Sequence, residues 1–466
     1  MVDATISENL PFEVIDDRGR RHRATELLAQ GGQGVVYRTS DPLLLLKFVS
    51  IPASASSERA DWKGRLGLIA RLGLADRLPV ATPEAFFETD EHVGYVMRML
   101  DDMEPLQTLM RAPADVMNWF AATGGLRRRM RLLAQLADVL AAVHGEGLAY
   151  SDISPNNLFV SSDPSQATAW LIDTDNLRWT TTSPASPIFT PKFGAPELVK
   201  GAAGNSTLTD AWSFATVAYQ VLTLNHPFLA GKLVEDGDPD EMEPRAERGE
   251  LPWIHDADDP SNLSGLGIPW ERTLSKSLRE LAVRTFGPGR ARPTERPTIA
   301  EWAEALHRAE LILLDCANDE CRHGFFANKA TCPWCDAPRP AHLLVSAHVA
   351  PAPDPDIPDL LERATRSEPW WRAAVGTSRP TVICRRMITG EIGLPGRQAV
   401  VTLSRHAKGV YVAPEPGAQV SILEAEREHV GVADKPLHVA APMPVDRRLR
   451  IGKIAQTHII LKFGAK

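Results

Sequence analysis

The stretch Tyr150-Ser-Asp152-Ile-Ser-Pro-Asn-Asn157-Leu-Phe-Val160 places an aspartate five residues ahead of an asparagine, directly before an apolar strand. A carboxylate and an amide at this spacing offer a base to a hydroxyl nucleophile and an amide oxygen to Mg²⁺. Upstream, residues 126–144 (LRRRMRLLAQLADVLAAVH) carry apolar positions at helical spacing, and His144-Gly-Glu-Gly147 then breaks the helix. Sixteen residues past Asn157 the strand Ala169-Trp-Leu-Ile172 ends at Asp173, a carboxylate placed to chelate a phosphate-bound metal. Asp175, two residues on, is the alternative ligand.

Working outward, Ala29-Gln-Gly31-Gly32-Gln33-Gly34-Val35-Val36-Tyr37 lies between two predicted strands. Glycines permit a tight turn whose amides approach phosphate oxygens, and a valine after it can roof an adenine. Lys47, eleven residues beyond Val36, is the one charge in the apolar run Leu43–Val49. A lysine in that setting either snorkels or meets an anionic ligand. Residues 10–100 read mainly as strands with one helical patch at 57–72, and helical patches recur at 210–224, 272–284 and 298–314. A strand-rich small lobe followed by a helical large lobe is the expected organisation.

In this order the motifs resemble those of eukaryotic-type (bacterial) serine/threonine protein kinases, over about residues 10–310. Further landmarks carry the resemblance. Thr190-Pro-Lys-Phe-Gly-Ala195-Pro-Glu197 is similar to the end of an activation segment, and Thr209-Asp210-Ala-Trp212 to the helix that anchors the catalytic loop. Asn225-His-Pro227-Phe228 and Arg296-Pro-Thr follow in sequence, the arginine as partner of Glu197. The resemblance implies that Gly31, Gly32, Gly34 and Val36 cover ATP while Lys47 holds its phosphates. Asp152 would orient and deprotonate the substrate hydroxyl, and Asn157 and Asp173 would hold Mg²⁺ (or Mn²⁺). Met97 would be the gatekeeper of Tyr95-Val-Met97-Arg98-Met99-Leu100, with the backbone of Arg98 and Leu100 facing adenine. Thr190 favours Ser/Thr substrates, because its hydroxyl can bond the catalytic aspartate.

The chain departs from that pattern in five places. Ala29 stands for the first glycine, and Leu45 for a small residue above adenine. Tyr150-Ser151 replaces His-Arg, which removes the guanidinium that grips an activation-loop phosphate. Ser154 replaces a lysine near the transferring phosphoryl group, a loss of about 2–4 kcal/mol in the transition state. Asp173-Thr-Asp175 replaces Asp-Phe-Gly. The helix glutamate that should pair with Lys47 is also unsettled: Glu58 is the only glutamate in the helical patch, close in sequence, while Trp62 has the more ordinary spacing. Glu58 reads equally well as a helix-start residue offsetting the dipole.

Cys316-x4-Cys321 and Cys332-x2-Cys335 form two knuckles whose thiolates suit structural, tetrahedral Zn²⁺, with Pro333-Trp334 inside the second. His323 is expected at the surface and Cys384 as a small buried hydrophobe. A proline-rich stretch follows, and from about 380 short alternating runs (398–403, 409–412, 419–423, 458–463) read as strands. Ser404-Arg405-His406 and Ile451-Gly452-Lys453 resemble pieces of forkhead-associated phosphopeptide-binding domains in a different order and spacing; a β-sandwich or barrel for partner binding is the broader expectation.

Hydrophobic content of 44% and charged content of 24% are those of a globular protein. The net charge of −8 argues against a protein that coats nucleic acid, and the basic tail from 376 lacks interleaved aromatics for base stacking. The amino-terminal residues lack a secretion signal and no apolar run reaches bilayer length, so a cytoplasmic protein without membrane contact is expected.

The fold class expected is α+β: a bilobal kinase fold over 1–310 (small lobe about 10–100, large lobe about 101–310), a four-cysteine zinc ribbon over 311–340, a Pro-rich linker over 341–375 and a small all-β partner-binding domain over 376–466. The function expected is an ATP/Mg-dependent serine/threonine kinase that phosphorylates itself and a partner in a bacterial signalling or stress system. The alternative is a catalytically weak pseudokinase serving as a nucleotide-binding scaffold. The loop at 151–157 and the cysteine cluster resemble kinases of tellurite-resistance-associated triads, which implies a von Willebrand factor A-type protein and a metal-dependent phosphatase as partners. Lacking the activation-loop arginine, the enzyme is expected to be constitutively assembled, with control exerted through the ribbon and tail.

Overall fold

The computed structural model describes residues 10–31, 34–111, 113–180, 187–352, 368–424, 427–431, 437–440, 447–453 and 456–465. Six antiparallel strands build the small lobe in the spatial order Phe12–Ile15, Arg21–Gly31, Gly34–Thr39, Leu44–Ser50, His92–Arg98 and Ala85–Glu88. Alternation in Gly34–Thr39 sends Val35 and Tyr37 inward, where they join Leu46, Phe48 and Phe87 in one cluster. Phe12, Tyr37 and Phe48 meet edge to face at 5.3–5.6 Å between centroids. Gly34 has φ +141, and a Cβ there would fall 2.2 Å from the Phe48 carbonyl oxygen, so only glycine lets these two strands close up.

The helix Ser56–Arg71 lies against this sheet through Trp62, Leu66 and Ile69. In the large lobe the helix Gly125–Gly145 is buried along most of its length and packs on Thr207–Thr223 and Ile299–Leu311. The last two start on reciprocal caps, Ser206 with Thr209 and Thr298 with Glu301. Two helical patches end differently from their sequence reading. The 272–284 patch is a single turn, Trp270–Thr273, and a helix, Lys276–Phe286, divided because Ser275 caps the second. The 298–314 patch stops at Leu311, and Leu313–Asp315 pairs as a strand with Gly324–Phe326.

The span 341–375 expected to be a linker instead supplies two strands, Leu343–Ala350 and Trp371–Val375. Its described prolines, Pro351 and Pro369, lie just after the first strand and just before the second rather than inside either, a placement strands tolerate. Leu343–Ala350 pairs with Trp371–Val375 on one side and with His458–Ala465 on the other. The sheet continues through Arg447–Ile451, Val420–Glu424 and Arg427–Gly431. Thr381–Cys384, Ala399–His406, Gly409–Pro414 and Leu437–Ala440 form a second sheet. Inward residues of both sheets, among them Val345, Leu461, Val401 and Val412, share one core, and half-buried Cys384 packs at its edge. Two single helical turns, Arg386–Thr389 and Gly393–Gly396, interrupt the strands, so the segment is not purely β.

This carboxyl-terminal layer rests on the large lobe. Arg386 donates to Asp138 at 2.9 Å and to Glu304 at 3.4 Å, and His307 holds the other Asp138 oxygen at 2.8 Å. Gly393, at φ +80, sits so close that a Cβ would lie 2.4 Å from the Arg77 carbonyl oxygen. No helix of the described residues is long and apolar enough to cross a membrane.

The Arg386 and Asp138 side chains are 12% and 9% exposed, so removing the arginine leaves a buried carboxylate with His307 as its remaining described partner. Arg386→Ala is therefore expected to cost about 3 kcal/mol, read as a lower denaturant midpoint with faster amide exchange over Gly393–Gly396. An unchanged midpoint would contradict the contact.

Candidate active site

Lys47 sits in register with Val36 on one neighbouring strand and Tyr95 on the other. Its side chain is 3% exposed, and Nζ donates to Asp173 Oδ1 at 2.8 Å and Asp175 Oδ1 at 3.0 Å. Burial alone would depress the ammonium, but Asp175 and Asp173 outweigh it and hold its pKa above the usual lysine value. Burial pushes the Asp173 carboxyl up; Lys47 pulls it down, and Asp175 and Asp152 push it up again, leaving it raised. Carboxylates thus outnumber ammonium groups in the cleft.

The turn after strand Ala169–Leu171 explains the pairing. Asp173 adopts φ +58, Thr174–Asn176 form one 3₁₀ turn, and buried Thr174 donates to the Ala81 carbonyl at 3.0 Å. Both aspartates of Asp173-Thr-Asp175, offered by the sequence as alternative metal ligands, are thereby brought to the same lysine. The Tyr95 hydroxyl lies 3.5 Å from Asp175 Oδ1, and burial pushes its pKa well up, which keeps it a donor. Arg65 donates to the carbonyls of Asp175 and Leu177. Neither Arg65 nor Tyr95 carried a sequence signal: one is a cation among several on its helix, the other an aromatic in a strand. Glu58 is exposed on the first helical turn, while Trp62 is buried and stacks on Tyr95 at 6.2 Å.

Asp210, 1% exposed, fixes the catalytic loop by accepting from the backbone amides of Tyr150 at 2.6 Å and Ser151 at 3.0 Å. His144 Nε2 lies 2.9 Å from the same carboxylate. Tyr150 then donates its hydroxyl to the carbonyl of Ile172, next to Asp173. Asp152 accepts from Thr190 Oγ1 at 2.7 Å on one carboxylate oxygen and from Asn157 Nδ2 at 3.0 Å on the other. Asn157 Nδ2 also donates to the Asp152 carbonyl at 2.9 Å. Both partners of that amide are acceptors, so its nitrogen faces them and Oδ1 points away as an acceptor. Ser154 is buried.

The remaining expected positions fall around this centre. Gly31 pairs with Gly34 at the hairpin end, Val36 is half-buried opposite Lys47, and Gly32 lies outside the described residues. Met97 is half-buried and opposes Leu45. The Arg98 side chain points outward at 72% exposure, the Met99 amide is spent on the Leu43 carbonyl at 2.7 Å, and half-buried Leu100 follows. Arg296 clamps Glu197 with two bonds of 2.6 and 2.8 Å, as the sequence order implied.

A protein kinase domain model matches residues 69–307. The chain belongs to the protein kinase family. Among curated proteins it is 27% identical over 223 residues to serine/threonine-protein kinase pkn2 of Myxococcus xanthus, covering 45% of this chain and 25% of that one. It is 27% identical over 235 residues to serine/threonine-protein kinase PkaB of Streptomyces coelicolor, covering 46% and 51%. With serine/threonine-protein kinase PknE of Mycobacterium bovis it shares 25% over 222 residues, covering 46% and 36%. The match thus spans a quarter to about half of these kinases' own length. The family match begins within the helix Ser56–Arg71, so the glycine hairpin and Lys47 are placed by the fold of this kinase rather than by that match.

The four clustered cysteines of this kinase gather tightly. Cys316 and Cys335 sulfurs are 3.5 Å apart, Cys321 and Cys332 sulfurs 3.7 Å, and all four lie within 4.8 Å of one another. Each knuckle closes on a left-handed residue, Arg322 at φ +55 and Asp336 at φ +59. His323 is not at the surface as expected: it is 6% exposed, stacked on Trp334 at 4.6 Å and facing Phe120.

His226 ties the activation segment to the large lobe. Its Nδ1 accepts from the amides of Phe228 and Leu229 at 3.2 and 3.1 Å, so the hydrogen sits on Nε2 and is donated to the Lys192 carbonyl at 2.9 Å. Burial pushes the imidazole down to about 4, against the opposing pull of its bond to the Lys192 carbonyl. Between about 6.5 and 4 the unfolded chain binds a proton that the folded one refuses, so stability falls on acidification through that window. The thermal midpoint is expected to drop less steeply across it in His226→Gln than in wild type.

Proposed function

We propose that this chain is an ATP- and Mg²⁺-dependent serine/threonine protein kinase that phosphorylates itself and a partner protein. The observation that carries the reading is Asp152, held at once by Asn157 and by the hydroxyl of Thr190, a threonine positioned as a substrate hydroxyl would be. Asp152 orients such a hydroxyl and takes its proton as the oxygen attacks phosphorus. Lys47 holds phosphate oxygens in place, and the backbone at Arg98 and Leu100 receives the adenine, with Met97 beside it. Excess carboxylate around Lys47 suits a divalent cation, which Asn157 through Oδ1 and Asp173 through its carboxylate would hold. Bound there, Mg²⁺ supplies charge neutralisation of the phosphate oxygens.

The thiol cluster fits Zn²⁺. Tetrahedral zinc–sulfur bonds of about 2.3 Å put sulfurs about 3.8 Å apart, close to the spacing found. Four thiolates leave no open position, so the ion's role is structural. A von Willebrand factor A-type protein and a metal-dependent phosphatase remain the partners proposed from the catalytic loop and cysteine cluster, and the cytoplasm the proposed location. Control through the ribbon and tail is supported by the packing of both on the large lobe.

Incubation of purified protein with γ-labelled ATP is expected to label wild type and to leave Asp152→Ala at least about 100-fold weaker. Equal labelling would remove the catalytic assignment and leave a nucleotide-binding scaffold. Metal analysis of the purified chain is expected to find about one zinc per molecule, lost in Cys332→Ser. A wild type without zinc, in protein purified free of chelators, would end the zinc assignment.

A further inference from the structure

A buried lysine that must present a fixed ammonium to phosphate needs a carboxylate to aim it, and the kinase resemblance looks for that carboxylate on the helix Ser56–Arg71. That helix has two acidic residues, Glu58 and Asp61, and both are exposed. The face it turns inward carries Trp62, Leu66 and Ile69, and Trp62 fills the space beside Tyr95 with its indole. The helix therefore brings no acid to Lys47.

The carboxylate comes from the turn instead. Asp175 Oδ1 lies 3.0 Å from Lys47 Nζ, and its side chain is 7% exposed against 21% for Asp173. Asp175 is also the better restrained of the two. Tyr95, which opposes Lys47 across the sheet, approaches the same Oδ1 at 3.5 Å. Arg65 grips the Asp175 backbone carbonyl and the Leu177 carbonyl beyond it. The helix thus contributes an arginine to the turn's backbone where a glutamate to the lysine was expected.

We propose that Asp175 is the positioning residue for Lys47, taking the role of the absent helix carboxylate, and that the more exposed Asp173 is left to the metal. This division of labour rests on the phosphotransfer reading above. It makes the alignment of Lys47 depend on the Asp173-Thr-Asp175 turn and on Tyr95, both on elements packed into the two lobes, rather than on an acid carried by a helix.

The test is a double-mutant cycle on nucleotide affinity in the full chain, using a fluorescent ATP analogue in EDTA so that neither metal nor turnover is needed. Asp175→Asn is expected to weaken binding about tenfold in wild type and less than about twofold in the Lys47→Met background, because its effect runs through the lysine. Equal losses in both backgrounds would overturn the proposal and mark Asp175 as merely structural. In Mg²⁺ titrations of the phosphorylation rate, Asp173→Asn should raise the half-saturating Mg²⁺ concentration while Asp175→Asn raises KM for ATP without moving it. Glu58→Gln should match wild type in both assays; a loss equal to that of Asp175→Asn would return the role to the helix. Should wild type transfer no phosphate, the phosphotransfer reading fails, while the cycle in EDTA still decides for or against Asp175.

Discussion

An ammonium group shut away from water has to be met by negative charge, and Lys47 meets two carboxylates delivered by the opposite lobe. That pairing joins the strand Leu44–Ser50 of the small lobe to the turn Thr174–Asn176 of the large one. Around it the rest of the cleft is arranged. Thr174 fastens the turn to Ala81, Tyr150 fastens the chain before it, and Asp210 fastens Tyr150 and Ser151 to the core. Each bond fixes backbone rather than a solvent-facing side chain, so Asp152 and Asn157 inherit their positions from buried polar groups that cannot relax without loss.

The departures from the usual kinase pattern acquire a physical sense in this setting. Tyr150, which stands where a histidine is expected, uses its hydroxyl to support the chain entering the Asp173-Thr-Asp175 turn. The aspartate pair that replaces Asp-Phe-Gly gives up a flexible glycine and adds a second charge beside Lys47. A turn held by ionic and hydrogen-bonded contacts on all sides is a rigid one. This agrees with a kinase whose sequence offers no guanidinium to receive an activation-loop phosphate.

The carboxyl-terminal third adds a second mechanical element. Its sheets share one core, and its helical turns meet the large lobe at Asp138 and Glu304 and the segment at Arg77 that leads toward Ala81. The cysteine cluster lies on the same lobe, with Trp334 and His323 facing Phe120 and Arg272 placed over the Trp334 ring. Both appendages therefore share a surface with the catalytic domain rather than hanging from it.

Much of this was legible in the residues. The order of Lys47, Asp152, Asn157 and Asp173, the amphipathic period of 126–144 and the cysteine spacings depend on local chemistry, and local chemistry is written in sequence. The same holds for the Glu197–Arg296 clamp, whose two ends are marked by motifs. What spacing leaves open is which of several like groups meets a distant one. Asp173 and Asp175 both reach Lys47 because a left-handed residue and a 3₁₀ turn bring them round, and Glu58 does not because its helix turns Trp62 inward. The strand Leu343–Ala350 escaped notice because its partner, His458–Ala465, lies more than a hundred residues away in the chain. The sequence by itself determined which charged and amide groups the cleft carries and where along the chain the kinase motifs fall. Only the tertiary structure decided which carboxylates meet the lysine and how the tail is held, because burial and long-range pairing arise when distant segments meet.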